Sequence, residues 1–240
     1  MNNSIIVSRY DEDISWLESY KDFNIYIYNK GSNLETKISE KVYKLPNVGR
    51  ESHTWLYHII KNYNNLDSVN IFLQGRVDDL GKMAYTNPRD YLEKTIKFGF
   101  SARRLGLLGP LHWKKNIGIE KDVRYKAKWE NGEISRSSKG FRDFAKNLFP
   151  KIPIFVATSY GGCFAVTNQK IKKYDLSFYE DILTTLEKHP NPIEGHFMER
   201  LWCYLFTKNI LLNSAIKDVV KTKIERTIFR FSVFNENKPK

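Results

Sequence analysis

The sequence predicts an α/β fold of three layers, in which helices cover both faces of a mainly parallel sheet. Patterns typical of strands and helices alternate over the first hundred residues, in the order strand, helix, strand, helix, strand. The 240 residues suffice for one sizeable core, and 41% hydrophobic with 28% charged residues is an ordinary globular balance. We predict one domain over residues 1–210, with a basic C-terminal helix and tail over residues 211–240 packed on it.

The first half of the chain carries three predicted strands. Residues 4–8 are β-branched, and residues 23–28 form a second run that is closed by a turn; the apolar spacing between them suits a short helix. The strongest helical pattern extends over residues 51–63 and leads to a buried strand at residues 69–73. Ligands of open α/β sheets bind beyond the carboxyl ends of strands, so these ends are candidate sites.

The second half of the chain is less regular. Asn87 and Pro88 are typical of a helix start, as N-cap and first helical residue, and this helix extends to about residue 97. Residues 106–135 contain four glycines and no sustained period, which predicts a long irregular insertion or an interrupted antiparallel portion. The remaining predicted elements are a helix around residues 141–148 capped by Ser137 or Ser138, strands over 154–158 and 163–167, a helix from a capping box at 177–180 to about residue 188, and helices over 195–207 and 213–226.

Positive charge is concentrated in two segments. The net charge of +12 arises from residues 101–151, with +8, and from residues 214–240, with +4, while the other segments are balanced. A local excess indicates an anionic partner, and nucleic acid, membrane phosphates and a phosphorylated small molecule all fit. The alternative is a lysine-rich solvated loop.

The cysteines and the hydropathy of the chain predict its compartment. Cys163 and Cys203 do not have the spacing of a disulfide framework or a metal knuckle. No apolar run approaches the roughly 20 residues of a membrane span, and the polar opening residues do not resemble a signal peptide. We therefore expect a cytoplasmic protein.

Residues 47–53 bring a loop to the start of a helix, where free backbone N–H groups and the helix dipole favour an anion. Arg50 could clamp a phosphate group there. The alternative is an ordinary turn with Gly49 at positive φ and Ser52 as the cap. The segment lacks the Gly-Lys-Ser/Thr of a phosphate-binding loop and the GxGxxG of a dinucleotide site.

The helix over residues 195–207 has one polar side, with His196, Glu199 and Cys203 at positions i, i+3 and i+7. A carboxylate near the start of an apolar helix is a candidate general base, and we assign this role to Glu199. The alternative is that Glu199 pairs with Arg200 or a lysine at the surface.

Two further motifs follow predicted strands. Asp78 and Asp79 could hold Mg²⁺ or Mn²⁺ through carboxylate oxygens, or could belong to a solvated turn. Gly161 and Gly162 would let the backbone approach a substrate closely, or would form a hairpin. The residues themselves leave both choices open.

Six ordered blocks over about residues 4–208 carry a family resemblance. They are VSRYDEDISWL, YNKG, LPNVGRESHTWLYHI, FLQG, GGCFAV and GHFMERLWCYLF. Together they resemble an uncharacterised domain family that is related to GT-A-type nucleotide-sugar glycosyltransferases. The resemblance implies a GT-A-like sandwich with a Rossmann-like central sheet, which binds a nucleotide sugar beside its first strands.

The resemblance also implies roles for individual residues. Those implied to bind the nucleotide sugar are Ser8, Arg9, Asp11, Asn47, Gly49, Arg50, Gln74, Gly75 and Arg76. Those implied on the acceptor side are Gly161, Gly162 and His196, with Glu199 as catalytic base. The usual Asp-x-Asp metal motif falls at residues 74–76 and is degenerate, so Mn²⁺ or Mg²⁺ would depend on the displaced Asp78 and Asp79. A metal-independent enzyme would use Arg76 or lysines of residues 101–151 instead.

The predicted function is therefore that of a hexosyltransferase-like glycosyltransferase that acts in polysaccharide biosynthesis or in glycan or protein glycosylation. The resemblance favours a reaction that inverts the configuration at the anomeric carbon. The expected partners are a nucleotide-sugar donor and a glycan, lipid-linked or protein acceptor, with peripheral membrane contact as an option. One alternative is a non-catalytic nucleotide-sugar-binding module. The other is a nucleic-acid-binding protein that uses residues 101–151, although the sequence carries no known nucleic-acid-binding signature.

Overall fold

The computed structural model describes residues 2–76, 87–102, 105–113, 123–137, 139–208 and 210–217. These residues form an α/β fold. Its strands are β1 (Asn3–Arg9), β2 (Asn24–Asn29), β3 (Val42–Lys44), β4 (Val69–Gln74), β5 (Phe100–Ala102), β6 (Leu105–Leu108), β7 (Val156–Ser159) and β8 (Phe164–Thr167). Its helices are α1 (Arg50–Lys61), α2 (Pro88–Phe98), α3 (Val123–Glu130), α4 (Phe141–Leu148), α5 (Asn168–Ile171), α6 (Leu176–Thr184) and α7 (Ile193–Thr207), with 3₁₀ helices at Ser15–Tyr20, Tyr63–Asn65 and Pro110–Trp113.

The main sheet is mixed and mostly parallel, with six strands in the order β3-β2-β1-β4-β8-β5. Strands β1 to β4 are parallel, whereas β8 runs antiparallel to both β4 and β5. The strand order reverses at β1, because the chain passes to β2 and β3 on one side and then returns to β4 on the other. The register places Ser8 opposite Gln74 and Arg9 opposite Asn29, so the carboxyl ends of β1, β2 and β4 lie side by side.

Apolar side chains cover both faces of this sheet. Ile5 and Val7 of β1 belong to a core that includes Leu17 of the first 3₁₀ helix and Tyr91 of α2. Ile6, from the opposite face of the same strand, belongs to a larger core that α1, α4, α6 and α7 complete. Alternate residues of a strand point to opposite faces, so β1 is buried on both sides, as expected for a central parallel strand.

Local sequence signals predicted most of the regular elements. The predicted helices over 51–63, 88–97 and 195–207 are confirmed as α1, α2 and α7. Asn87 is confirmed as the N-cap of α2, since its side chain accepts a hydrogen bond from the Arg89 N–H at 2.9 Å. The early strands are confirmed as β1, β2 and β4.

Other local predictions were wrong. For residues 106–135 the wholly irregular alternative was wrong, because β6 and α3 lie within or beside the segment; the antiparallel pairing of β6 with β7 fits the alternative of an interrupted antiparallel portion. Helix α4 starts after Gly140 and α6 after Asp175, and neither has a side-chain cap, so a cap by Ser137 and the capping box at residues 177–180 do not form, while Ser138 lies outside the described residues. The strand β3 was not predicted. Of the predicted last helix, residues 213–217 are helical and the remainder lies outside the described residues.

The hairpin, one of the two alternatives left open for Gly161 and Gly162, does not form. Strand β7 pairs with β6 in a separate two-stranded sheet, whereas β8 joins the main sheet between β4 and β5. The two glycines therefore connect two sheets, and both have positive φ, 91° at Gly161 and 67° at Gly162.

Candidate functional site

A cavity of about 540 Å³ lies at the carboxyl ends of β1, β2 and β4. Its walls are formed by Ser8, Arg9, Tyr10, Glu12, Lys30, Asn47, Arg50, Glu51, Gln74, Arg76, Pro190 and Asn191. This is the switch point of the sheet, where the connections from neighbouring strands diverge and leave a crevice. Six residues that the resemblance implies for the nucleotide sugar line this cavity: Ser8, Arg9, Asn47, Arg50, Gln74 and Arg76.

Arg9 organises the loop that follows β1. Its side chain is buried, with Nε donating to the Glu12 carbonyl oxygen at 3.0 Å and Nη1 donating to the Tyr10 carbonyl oxygen at 3.0 Å. Nη1 also donates to Asn29 Oδ1 at 2.8 Å, which ties this loop to the end of β2. Arg9 thus contributes positive charge to the cavity wall while its hydrogen bonds hold the wall together.

Gly49 and Arg50 form the start of α1 in an unusual conformation. Both have positive φ, 64° at Gly49 and 54° at Arg50, so the alternative with Gly49 at positive φ is confirmed. A Cβ at Gly49 would lie 2.6 Å from His53 Cβ, so the position also lacks room for a side chain. The N–H groups of Gly49 and Arg50 donate to the carbonyl oxygens of His189 and Pro190, at 2.9 and 3.1 Å. The expectation that the N–H groups of these two residues are free for an anion was therefore wrong, and Ser52 makes no side-chain cap.

The Arg50 guanidinium joins α1 to α7. Its Nη1 lies 2.7 Å from His196 Nδ1 and 3.9 Å from Glu199 Oε2, both on α7, and its Nε lies 3.5 Å from Glu51 Oε2. The His196 Nε2 lies 3.1 Å from Asn191 Oδ1, so a neutral imidazole that donates from Nε2 and accepts at Nδ1 satisfies both neighbours. Burial, with Arg50 and Arg200 beside it, lowers the pKa of His196 to about 2, and the ring is neutral at pH 7.

Lys30 and Glu51 are cavity residues that the sequence analysis did not assign. Lys30 follows β2 and is 8% exposed; its Nζ donates to the Val48 and Arg50 carbonyl oxygens at 2.6 and 2.5 Å. Glu51 is 7% exposed, and its Oε1 has no hydrogen-bond partner among the described residues. A Cβ at Gly162 would lie 2.7 Å from Glu51 Oε1, so the glycine loop packs directly against this carboxylate.

Glu199 is tied to its surroundings on two sides. Its Oε1 accepts the Gly161 N–H at 2.8 Å, and its Oε2 lies 3.9 Å from Arg50 Nη1 and 3.7 Å from Arg200 Nη1. The side chain is 13% exposed, so the pair with Arg200 is not a simple surface pair. Glu199 therefore links the Gly161–Gly162 loop with Arg50, although it does not line the cavity itself.

Cys203 does not join His196 and Glu199. It is fully buried, its Sγ lies 3.9 Å from Thr207 Oγ1, and burial raises its pKa to about 12. Helical spacing predicted that the three residues lie near each other, but the Cys203 side chain packs in the hydrophobic core of the protein. The polar side of this helix is thus limited to its first two turns.

Three residues implied for the nucleotide lie behind or beside the cavity. Gly75 donates its N–H to the Ser8 carbonyl oxygen at 2.8 Å and accepts from Trp16 Nε1 at 2.9 Å, which closes the end of β4. Gly49 is buried under α1. Asp11 accepts from the Ser32 N–H at 2.9 Å, and these bonds to Ser32 lower the pKa of its carboxyl.

The predicted metal ligands Asp78 and Asp79 lie outside the described residues. Within the part of the chain that the structure describes, no group of three His, Cys, Asp or Glu side chains is placed to hold a metal ion. Residues 74–76 bring Gln74 and Arg76 to the cavity, which suits an anionic ligand better than a cation.

A second cavity of about 690 Å³ lies at the C-terminal end of α7. Its walls include Phe149, Tyr174 and Tyr204, and Lys208 Nζ lies 4.0 to 5.0 Å from the centres of these three rings. None of the predicted site residues lines it. We therefore place the candidate functional site at the smaller, more polar cavity at the strand ends.

The structure is that of an α/β protein with a cavity lined by charged residues at the switch point of its sheet. The chain belongs to a family described as a protein of unknown function (DUF3431), whose model matches residues 5–221. Comparison with curated proteins and with solved structures gave no match. The family model carries no link to glycosyltransferases, so that part of the resemblance stays a prediction. Among the described residues, the helices are too short or too polar to cross a membrane.

Proposed function

We propose that this chain is a glycosyltransferase that binds the diphosphate of a nucleotide-sugar donor in the cavity at the strand ends. The observation that carries the proposal is the cavity itself, which lies at the switch point and is lined by Arg9, Arg50 and Arg76. Nucleotides bind to open α/β sheets at this position. A volume of about 540 Å³ also falls within the usual range of small-molecule sites, about 300–1,000 Å³.

The finer fold assignment belongs to the same proposal. A GT-A-like sandwich would have a Rossmann-like half-sheet that binds the nucleotide beside its first strands. The parallel order β3-β2-β1-β4, with apolar cores on both faces, supports this assignment. Tyr10, which is 51% exposed at the rim, offers a ring on which a nucleobase could stack.

In the proposed reaction, positive charge stabilises the departing nucleoside diphosphate. Arg50 and Arg76 line the cavity, and the charge that develops on the leaving oxygen is favoured by cationic groups that are already in place. Mg²⁺ or Mn²⁺ held by Asp78 and Asp79 would supply the same kind of stabilisation. The described residues provide it without a metal, so no step of the proposal depends on one.

Glu199 is the proposed base. The acceptor hydroxyl would give its proton to the Glu199 carboxylate as its oxygen bonds to the anomeric carbon, and the bond from that carbon to the diphosphate would break. The contact of Glu199 with Arg50 supports this role, because Arg50 lines the donor cavity. The contact with the Gly161 N–H would bring the implied acceptor loop to the same carboxylate.

Donor binding is tested first, by thermal shift with UDP-, GDP- and CDP-linked sugars, each with and without Mn²⁺. We expect one nucleotide class to raise the melting temperature, and the Arg76→Met variant to reduce that rise because it removes a cation from the cavity wall. If the shift requires Mn²⁺, the displaced aspartates become the metal ligands of choice. The absence of a shift with every donor would contradict the proposal.

The base is tested by the transfer or hydrolysis rate of Glu199→Gln. We expect a loss of about 10²–10⁴-fold with donor binding retained, since general-base catalysis contributes roughly this factor. Glu194→Gln is the matched control, because Glu194 is in the first turn of the same helix but, among the described residues, contacts neither Arg50 nor the Gly161 N–H as Glu199 does. An unchanged rate in Glu199→Gln would show that Glu199 is not the base. Donor binding without any transfer would indicate a non-catalytic binding module.

A further inference from the structure

Lys30 is a buried lysine at the edge of the cavity. It is the first residue after β2, its N–H donates to the Arg9 carbonyl oxygen at 2.8 Å, and its side chain is only 8% exposed. Even so, it contributes to the cavity wall. Burial of this lysine is unfavourable by itself, because an ammonium group loses strong hydration when it is buried, so other interactions must offset that loss.

One such interaction is with the loop that leads into α1. The Lys30 Nζ donates to the carbonyl oxygens of Val48 and Arg50, on either side of Gly49. The backbone here is left-handed at two successive residues, and a non-glycine residue is strained in this conformation. Lys30 therefore holds the strained segment that positions the Arg50 side chain at the cavity.

The ammonium has one donor to spare. It carries three N–H groups, and the two carbonyl oxygens use two of them. Among the described residues no acceptor is recorded for the third N–H group. Because Lys30 lines the cavity, an oxygen atom of a ligand bound there can accept a hydrogen bond from this third N–H group.

The charges around Lys30 come from every element at this end of the sheet. Arg9 is the last residue of β1 and Glu12 follows that strand, Arg76 follows β4, and α1 contributes Arg50, Glu51 and His53. The cavity wall thus holds three arginines against two carboxylates before Lys30 is counted. Burial lowers the pKa of Lys30 to about 7, and the nearby Glu51 only partly opposes this effect. The wall therefore supplies too little negative charge to keep Lys30 fully protonated.

We propose that Lys30 binds a phosphate oxygen of the ligand, and that anion binding charges its ammonium, so that ligand binding takes up a proton from solvent. This inference rests on the proposed function in taking the anion to be the donor diphosphate. Lys30 then acts twice: it positions Arg50 through two backbone carbonyls and it contacts the ligand through its third N–H. Between the midpoint of free Lys30 and that of anion-bound Lys30, the affinity falls about tenfold for each rise of one pH unit, because anion binding requires the added proton.

The titration of Lys30 is measured directly by NMR, through the ¹³Cε signal of labelled lysine, which Lys30→Arg identifies by its disappearance. The probes are inorganic sulfate and inorganic pyrophosphate, each compared with sodium chloride at equal ionic strength. We expect a midpoint near neutrality in chloride that moves up by about one pH unit or more at saturating anion. A larger movement with pyrophosphate than with sulfate would identify a diphosphate site, and the reverse a site for a single oxyanion. A midpoint that is the same in all three salts would overturn the inference.

Lys44 provides a matched control. It is exposed, its Nζ donates to the Gly31 carbonyl oxygen, and it does not line the cavity. Lys44→Met should leave the Lys30 midpoint and its movement unchanged, whereas Lys30→Met should abolish most of the thermal stabilisation by pyrophosphate. If Lys30→Met does not fold, because the Val48 and Arg50 carbonyl oxygens lose their donor, the titration of the wild type still decides.

The outcome is separable from that of the proposed function. A Lys30 midpoint that responds to anions in a chain that binds no nucleotide sugar would support the anion site and contradict the glycosyltransferase. Nucleotide-sugar binding with an unresponsive Lys30 would support the donor site and overturn the role of Lys30.

Discussion

Gly31 lies where the loops that follow β1 and β2 touch each other. A Cβ at this position would lie 1.7 Å from the Tyr10 carbonyl oxygen and 2.6 Å from Asp11 Oδ1. The first contact joins a Cβ to a backbone carbonyl oxygen, so no rotation of a side chain can relieve it. Because Gly31 has no side chain, the loop that Arg9 organises can pack against it.

Gly31→Ala is therefore expected to destabilise the fold by about 3 kcal/mol, at the upper end of overpacking effects. Gly132→Ala is the matched control: Gly132 has φ of 79°, but a Cβ added there would meet nothing within 4 Å. Only left-handed strain applies at that position, about 1 kcal/mol. Urea unfolding of both variants measures the difference, and equal losses would contradict a steric role for Gly31.

The same scale shows what could not be predicted at the site. Arg50 was predicted because a loop, a glycine and an arginine before a helix form a local pattern. Lys30 and Glu51 were missed because nothing local distinguishes them from solvated residues of a turn and of a first helical turn. Their burial, at 8% and 7% exposure, comes from packing of distant segments. The one available signal for Lys30 was its position directly after a parallel strand.

At the scale of elements, α2 has a cap that the sequence predicted correctly. Asn87 accepts the Arg89 N–H at 2.9 Å, and Pro88 occupies the first helical position. Asn87→Ala should lower the free energy of unfolding by about 1 kcal/mol, because the helix loses an acceptor for one of its free N–H groups. Asp175→Ala is the control, since Asp175 is the N-cap of α6 without a side-chain cap bond. Equal losses in urea unfolding would show that the Asn87 bond is not what stabilises α2.

The elements that were missed or misplaced lack such local signals. Strand β3 has three residues, and it is held by tertiary contacts such as the bond from the Leu45 N–H to the Asn29 carbonyl oxygen at 2.9 Å. The capping box at residues 177–180 has the right composition, but the helix already begins at Leu176. Short strands and exact helix starts depend on the surrounding fold more than on propensity.

At the scale of the whole molecule, topology determines which residues meet. The resemblance implied that Ser8, Gln74 and Arg76 share one binding site, and the alternation of strands and helices predicted the mainly parallel sheet. It could not predict that Pro190 and Asn191 would close this cavity, or that His196 would reach Arg50 across 146 residues of sequence. The contact between α1 and α7 that makes this possible depends on the long-range packing of two apolar helices.

Three buried histidines make this packing sensitive to acid. His53, His58 and His196 are 3%, 1% and 6% exposed, and burial is the main cause that lowers their pKa values to about 4, 3 and 2. Lys30 beside His53 and the two arginines beside His196 act in the same direction. All three rings lie on α1 or α7, the two helices that carry the charged groups of the candidate site.

The sign of the resulting pH dependence follows from these shifts. Histidine in the unfolded chain titrates near pH 6.5, whereas these rings stay neutral in the folded protein until pH 4 or lower. Between about pH 6 and pH 4 the unfolded chain therefore binds up to three more protons, and the free energy of unfolding falls by as much as about 4 kcal/mol per pH unit. Urea unfolding at pH 7, 6 and 5 measures the slope. A slope below one proton between pH 6 and pH 5 would mean that these histidines do not hold α1 and α7 together in their neutral form.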